Sequence, residues 1–179
     1  MVTNADSDGN VWAVREAFEN LLELVDSVEQ VGLAVDREEQ RSDAQKTVLM
    51  MTAAIIMADG KYDASEQVFI QNLVNLHDMP GGELRFLNEY NSLWWIKSKD
   101  VPCFFHAAIK DNSSIAHSML CEIQRIGNYV SICNGEFLAS KRKIVAQYLE
   151  FLESSIMEHK TEITRLASNF RSSEGSEQR

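Results

Sequence analysis

Oxygen-bearing side chains are concentrated at two glycine-containing turns of the chain. Asp59, Asp63 and Glu66 place three carboxylates within eight residues of the first half. In the second half, Asn134 precedes a glycine and Glu136 follows it. Calcium, magnesium and manganese prefer such oxygen ligands. These five residues are therefore the candidate ligands of a divalent cation, although their spacing differs from that of an EF-hand loop.

The acids of the first turn also have an interpretation that needs no ion. Asp63 is a suitable helix N-cap, and Glu66, three residues later, has the spacing of a capping box. Asp59 precedes Gly60, which is a common setting for a solvated turn residue. Carboxylates near a helix start also gain from the helix dipole. We therefore favour helix capping over a metal site and keep the metal as the alternative.

Catalytic motifs are missing from the sequence. The four histidines show no HExxH or comparable ligand spacing, and the chain has no P-loop, GxGxxG or GxSxG motif. The pattern favours a binding module over an enzyme. An enzyme whose site has no known signature stays a third, weaker hypothesis.

The net charge and the composition limit the kinds of partner and the cellular compartment that fit this protein. A net charge of -10 repels phosphate backbones, which excludes nucleic acid as a general partner and favours basic protein surfaces or cations. The start of the chain does not resemble a signal peptide, and no apolar run approaches the length of a membrane span. We therefore expect a cytoplasmic protein without membrane insertion. Three cysteines without CxxC spacing predict buried, reduced thiols.

The apolar spacing predicts an all-α fold in one domain. An amphipathic helix is expected over 10–31, with Asn10 as its N-cap and an apolar stripe that Trp12 and Leu22 broaden. This stripe is expected to cover the domain itself, and self-association through it stays open. The domain is predicted to span 10–170, with its core at 43–158, between disordered ends at 1–9 and 171–179.

Further helices follow from the same periodicity. A segment from Val48 to Ala58, apolar almost all round, predicts a buried central helix that ends at Gly60. A helix after Asp63 carries Val68 on its apolar side, and short helices are expected over 83–90 and 103–110. Asp100 is the predicted N-cap of the second of these. Two longer helices are expected from Ser114 and from Ser140.

Two surface features are candidate protein contacts. Trp94 and Trp95 are adjacent, so they cannot both point to the same side of a helix, and one is expected to be exposed. Lys141, Arg142 and Lys143 form a basic run at a helix start. These five residues are the predicted interaction residues. Packing at the core edge and a solvated basic patch are the alternative explanations.

The two halves of the chain repeat one local pattern. A buried helix, a tight turn with glycine second and an amphipathic helix occur in AAIIMADGKYDASEQVFIQ from Ala53 and in GNYVSICNGEFLASKRKIVAQ from Gly127. The first segment, above all MADGKYDASE, resembles the TerB-like domain of bacterial tellurite-resistance proteins, a relative of which precedes some DnaJ-type co-chaperones. The resemblance covers about 43–158. It implies a helical bundle of two pseudo-symmetric units, metal-binding acids at the DG turns, and an accessory role in stress response.

The second turn departs from the family pattern in its charges. Asn134 stands where an aspartate is expected, and Lys141 stands at the position of Glu66. If the two turns approach each other, Lys141 can pair with Asp59 or Glu66 and take the role of the cation. We therefore expect a non-enzymatic TerB-like module that binds a protein partner, with a degenerate ion site. The alternative is a divalent-metal-binding stress protein.

Overall fold

The computed structural model describes residues 5–29, 36–75, 82–135 and 138–174, and within these residues it contains helices and no strand. The helices, in chain order, are α1 (Ala5–Ser27), α2 (Arg37–Ile56), α3 (Ala64–Asn75), α4 (Gly82–Lys97), α5 (Cys103–Asp111), α6 (Ser113–Ser131) and α7 (Ala139–Glu174), with a 3₁₀ turn at Met57–Asp59. The predicted all-α class is confirmed.

Helix α2 is the centre of the bundle. Asp36 caps its start by accepting a hydrogen bond from the Glu39 N–H at 2.9 Å. From Val48 to Ile56 every residue is buried, including Thr52, the one polar residue of this stretch. Because this helix is apolar on all sides, it must be surrounded by others, and it packs against α1, α4, α5, α6 and α7. The prediction of a buried central helix is confirmed.

The outer helices bury one face each. In α1 the stripe of Val14, Leu21 and Val25 is buried, but Trp12 is 64% exposed. Trp12 was expected to broaden the stripe, and this was wrong because residues two apart point to opposite sides of a helix. The same reason exposes Val68 in α3, where Glu66, Phe69 and Ile70 form the inner face.

Several helix boundaries differ from the predictions. Helix α1 begins at Ala5, not at Asn10, and helix α7 continues to Glu174. The predicted helix over 83–90 is part of the longer α4, which runs on to Lys97. Cys121, predicted to be buried, is exposed on α6, whereas Cys133 is buried. The last two residues of the helix predicted over 10–31 lie outside the described residues.

The cap of α5 comes from a distant element. Pro102 holds the N-cap position, and its side chain has no hydrogen bond to offer. Instead, the Cys103 N–H donates to Asp43 Oδ2 on α2 at 2.7 Å. The prediction that Asp100 caps α5 was therefore wrong, and the Asp43 carboxylate connects α2 to the start of α5.

Candidate functional site

The first glycine turn follows α2 directly. After the 3₁₀ turn, Gly60 takes a left-handed conformation at φ 72°, and its N–H donates to the Met57 carbonyl at 3.2 Å. Glycine adopts this conformation without the steric cost that a side chain carries. Asp59 Oδ1 accepts the Lys61 N–H at 2.9 Å, which folds the chain back toward α3.

The start of α3 carries the predicted capping box. Asp63 Oδ1 accepts hydrogen bonds from the Ser65 N–H at 2.8 Å and the Glu66 N–H at 2.9 Å. In return, Glu66 Oε2 accepts the Asp63 N–H at 3.1 Å. This reciprocal arrangement satisfies backbone donors that a helix start leaves unpaired. The capping prediction is confirmed.

The second glycine turn has its glycine in the same left-handed conformation as the first. Gly135 takes φ 76°, and its N–H donates to the Ile132 carbonyl at 2.8 Å. The turn follows α6 as the first turn follows α2. Helix α7 then begins at Ala139, as α3 begins at Ala64. Glu136, one of the predicted ligands, lies outside the described residues.

The two turns are in direct contact. Asn134 Nδ2 donates to Asp63 Oδ2 at 3.1 Å. Lys141, in the first turn of α7, is fully buried, and its ammonium donates to Oε1 of Glu66, a residue that is only 1% exposed. The same ammonium lies 4.0 Å from Asp59 Oδ2. The hypothesis that Lys141 pairs with these acids is therefore confirmed, and the contact joins residues 75 apart in sequence.

Each of the three acids divides its oxygens in the same way. One oxygen of Asp59, Asp63 and Glu66 accepts a backbone N–H of its own turn. The other oxygen faces the second turn, where Lys141 or Asn134 is its partner. The cluster therefore connects the start of α3 to the start of α7. The carboxylate oxygens of its three acids have their partners within the protein.

Burial and hydrogen bonding shift the pKa values of two of these acids in opposite directions. Burial raises the pKa of Glu66, and the hydrogen bonds from Lys141 and from the Asp63 N–H oppose this shift without cancelling it. Burial also acts to raise the pKa of Asp63. For Asp63, however, the bonds from the Glu66 N–H, Asn134 and the Ser65 N–H prevail, and its pKa is lowered.

The cluster does not offer the donor set of a divalent ion in this arrangement. Four of the five predicted ligands, Asp59, Asp63, Glu66 and Asn134, are brought together. The ammonium of Lys141 nevertheless lies among the carboxylates, where it would repel a cation. Among the described residues, no group of three or more His, Cys, Asp or Glu side chains is arranged to hold a metal.

The predicted interaction residues divide between core and surface. Trp94 is buried, with its ring edge-on to Tyr148 at a centroid distance of 4.7 Å. Trp95 and the adjacent Ile96 are 66% and 67% exposed. The prediction that one tryptophan is exposed is confirmed. Lys141, in contrast, was wrongly predicted to lie on a contact surface, because it is buried against Glu66.

Two adjoining depressions lie beside the exposed tryptophan. The larger, of about 280 Å³, lies between α2, α4 and the start of α5, and the smaller, of about 110 Å³, lies between α4 and α7. Both are bordered by Trp94, Ser98 and Tyr148, and we call the two together the aromatic groove. Its further residues include Lys46, Met50 and Lys97 in the larger part, and Trp95, Ile144 and Gln147 in the smaller part.

Sequence reasoning found the two tryptophans of this groove and missed most of the rest. Lys46, Lys97 and Tyr148 come from three helices that are far apart in the chain. Each has the spacing of an ordinary surface or core residue, so no local signal marks them. Arg142 and Lys143 are exposed, as expected for the basic run.

Comparisons with protein families, with curated proteins and with solved structures give no match for this chain. The resemblance to TerB-like domains therefore depends on the residues of the two turns alone. Within the described part of the chain, none of the helices combines the length and the apolar character that crossing a bilayer requires.

Proposed function

We propose that this protein is a non-enzymatic, TerB-like accessory module that binds a protein partner, in the setting of a bacterial stress-response or defence assembly in the cytoplasm. The observation that carries the proposal is the exposure of Trp95 and Ile96, at 66% and 67%, beside the aromatic groove. Large apolar side chains that are exposed next to a concave surface are typical of contact sites.

The acidic cluster has an internal role in this proposal. The two helix–turn–helix segments around these turns are the pseudo-symmetric units that the TerB-like resemblance implies, and Lys141 supplies the positive charge that the resemblance assigns to a bound ion. Three features support this proposal: the matching left-handed glycines, the helix starts at Ala64 and Ala139, and the pairing of Lys141 with Glu66. The ion site is degenerate, and its charge is neutralised from within the chain.

Site-specific crosslinking tests the partner-binding surface. A photoreactive benzoylphenylalanine would replace Trp95 in the cells that make the protein, and in a matched variant it would replace Trp12, which is 64% exposed on α1. We expect a discrete protein adduct from position 95 that disappears when Ile96→Asp is added. Equal adducts from both positions, or none from position 95, would overturn the proposal.

Calorimetric titration with calcium, magnesium, manganese and zinc tests the degenerate ion site. We expect no binding heat at the cluster of the metal-free protein. The convergence of Asp59, Asp63 and Glu66 is the observation that favours the alternative, a divalent-metal-binding stress protein. Micromolar binding that is lost in the Asp59→Ala, Glu66→Ala variant would establish that alternative and overturn the role given to Lys141.

A further inference from the structure

One face of α2 forms a wall of the larger depression in the aromatic groove. Four residues at helical spacing on this face border the depression: Asp43, Lys46, Thr47 and Met50. Met50 and Trp94, which are 6% and 5% exposed, supply apolar surface. A cavity of about 150 Å³ is large enough for benzene, so the depression, of about 280 Å³, has room for one such ring together with a polar group.

The charges that border this depression are balanced. Lys97 lies 3.6 Å from Asp100, and these two residues neutralise each other. Asp43 and Lys46 remain, and neither of them forms an ion pair with a residue that the structure describes. The hydrogen bond that Asp43 accepts from the Cys103 N–H leaves its charge in place. A carboxylate and an ammonium group one helical turn apart favour a ligand that carries both signs of charge and no net charge.

Tyr148 adds a hydroxyl that lacks a protein partner. The residue is only 4% exposed and borders both parts of the groove. Its hydroxyl forms no hydrogen bond within the described part of the chain, although most buried polar groups in proteins have one. Burial, together with the nearby Asp43 carboxylate, raises the pKa of Tyr148. The hydroxyl therefore keeps its proton at neutral pH and can donate to a ligand.

We propose that the larger depression binds a small zwitterion, an α-amino acid with an apolar side chain. Its ammonium group lies beside Asp43, and its carboxylate lies beside Lys46, where the Tyr148 hydroxyl can also donate to it. Its side chain packs on Trp94. This ligand site goes beyond the proposed partner binding and does not depend on it. Compounds that lack one or both charges lose the attraction of Asp43, of Lys46 or of both.

The three tryptophans of the chain report where a ligand binds. The full chain would be labelled with 5-fluorotryptophan and titrated with L-phenylalanine and, separately, with L-leucine. We expect the ¹⁹F resonance of Trp94 to shift, whereas that of Trp12, which is exposed on α1 and borders neither depression, should stay in place. Trp12→Phe and Trp95→Phe variants, both at exposed positions, assign two resonances and leave the third to Trp94.

Four ligands that share one side chain test the role of the two charges. L-phenylalanine carries both charges, its amide lacks the carboxylate, its N-acetyl derivative lacks the ammonium group, and its N-acetyl amide lacks both. Hydrogen bonds to charged groups are strong enough that the loss of either charge should weaken binding at least about tenfold. Isothermal titration calorimetry compares the four dissociation constants.

Two variants connect each charge of the ligand to its residue. Asp43→Asn keeps an oxygen acceptor for the Cys103 N–H, and we expect that acetylation of the ligand's amino group no longer weakens binding to this variant. In Lys46→Gln, amidation of the ligand's carboxylate should matter less than in the wild type. Each variant should bind L-phenylalanine about tenfold more weakly. Lys143→Gln, at an exposed position on α7 that borders neither depression, is the control and should change nothing.

Tyr148→Phe tests the unpartnered hydroxyl. It leaves the ring against Trp94 and should weaken the binding of L-phenylalanine about fivefold. Because the hydroxyl has no partner among the described residues, the melting temperature of the variant should match that of the wild type. Unchanged binding would remove Tyr148 from the site.

Three results would overturn the proposal: no ¹⁹F shift with either amino acid at millimolar concentration, an equal shift of Trp12, or equal binding of L-phenylalanine and its N-acetyl amide. Tighter binding of the N-acetyl derivative or of the amide would also overturn it, in favour of an anionic or a cationic ligand. None of these results affects the crosslink from position 95, which tests partner binding separately.

Discussion

The two glycine turns share a left-handed glycine but differ in charge. Gly60 and Gly135 take nearly the same left-handed φ, 72° and 76°, and each turn leads into a helix that begins with Ala. The first turn carries three carboxylates, whereas the corresponding positions of the second include Asn134 and Lys141. The shape of a turn is thus separable from its charge, because glycine fixes the backbone and the side chains are free to differ.

The charge difference also explains why the turns lie together. A carboxylate in the first turn of a helix is favoured by the helix dipole, and Glu66 has this position in α3. Lys141 has the corresponding position in α7, where the dipole opposes a positive charge. Its burial is tolerated because Glu66 accepts its hydrogen bond and Asp59 lies 4.0 Å away. The unfavourable residue of one turn is thus stabilised by the acids of the other.

Among the substitutions that test the contact between the two turns, removal of Lys141 should lower the free energy of unfolding most. In the Lys141→Ala variant, Glu66 would remain buried without its cation, and we expect the free energy of unfolding at pH 7 to fall by about 3–5 kcal/mol. Urea denaturation followed by circular dichroism measures the change. Lys143→Ala, at an exposed position two residues away, should change it by less than about 0.5 kcal/mol.

A double variant separates the charge from the packing. Lys141→Met combined with Glu66→Gln keeps a capping acceptor and removes both charges, so it should recover most of the loss. If Lys141→Ala is as mild as Lys143→Ala, the pair does not join the two turns.

Loss of the Asp63 side chain should have the next largest effect. Asp63→Ala removes the N-cap of α3 together with the bond to Asn134, and we expect a loss of about 2 kcal/mol. Asn134→Ala removes only the bond between the turns and should lose about 1 kcal/mol. Thermal and urea unfolding of both variants compare the two. Equal losses would mean that the cap itself contributes nothing measurable.

The glycines should respond equally, since their backbones match. A Cβ at Gly60 or Gly135 would meet no atom within 4 Å, so the cost of Gly60→Ala or Gly135→Ala comes from the left-handed backbone alone. We expect about 1 kcal/mol at each site. Melting temperatures of the two variants, recorded side by side, test this. A loss at only one site would show that the turns are not equivalent.

The smallest expected effect is a pH dependence of the unfolding free energy that comes from Asp63 in the first turn. The pKa of Asp63 is lowered in the folded protein, so its stabilising contribution is present above its ordinary value of 3.8 and is lost as the pH falls through the folded value. The difference in unfolding free energy between the wild type and Asp63→Asn should therefore shrink as the pH falls below about 4. Urea titrations between pH 7 and pH 3 measure it. A difference that is constant with pH would contradict the assigned shift.

The sequence predicts those parts of the site that follow from the residue preferences of helix starts and from the internal repeat. The capping box follows from the spacing of Asp63 and Glu66, because its hydrogen bonds lie within four residues. The pairing of Lys141 could be inferred because a lysine in place of an acid at a helix start calls for a partner. Both inferences required only the repeat and the preferences of helix ends.

Other contacts between distant elements could not be predicted in this way, because no repeat marks the residues that form them. Asp43 caps α5 from 60 residues away, and nothing in its neighbourhood distinguishes it from other acids in the same charged stretch. The direction of Trp94 and Trp95 depends on where α7 places Tyr148, which periodicity does not specify. For the same reason the lysines of the aromatic groove were found only in the folded chain.

The buried pair has a consequence for hydrogen exchange. If the first turn of α7 opened by itself, Glu66 would lose its ammonium, and if α3 opened by itself, Lys141 would be left without its main acceptor. Each opening therefore carries the cost of an isolated buried charge, and opening both together avoids it. The backbone amides of these two helix starts should consequently exchange with solvent through one shared event, as a single cooperative unit assembled from opposite halves of the chain.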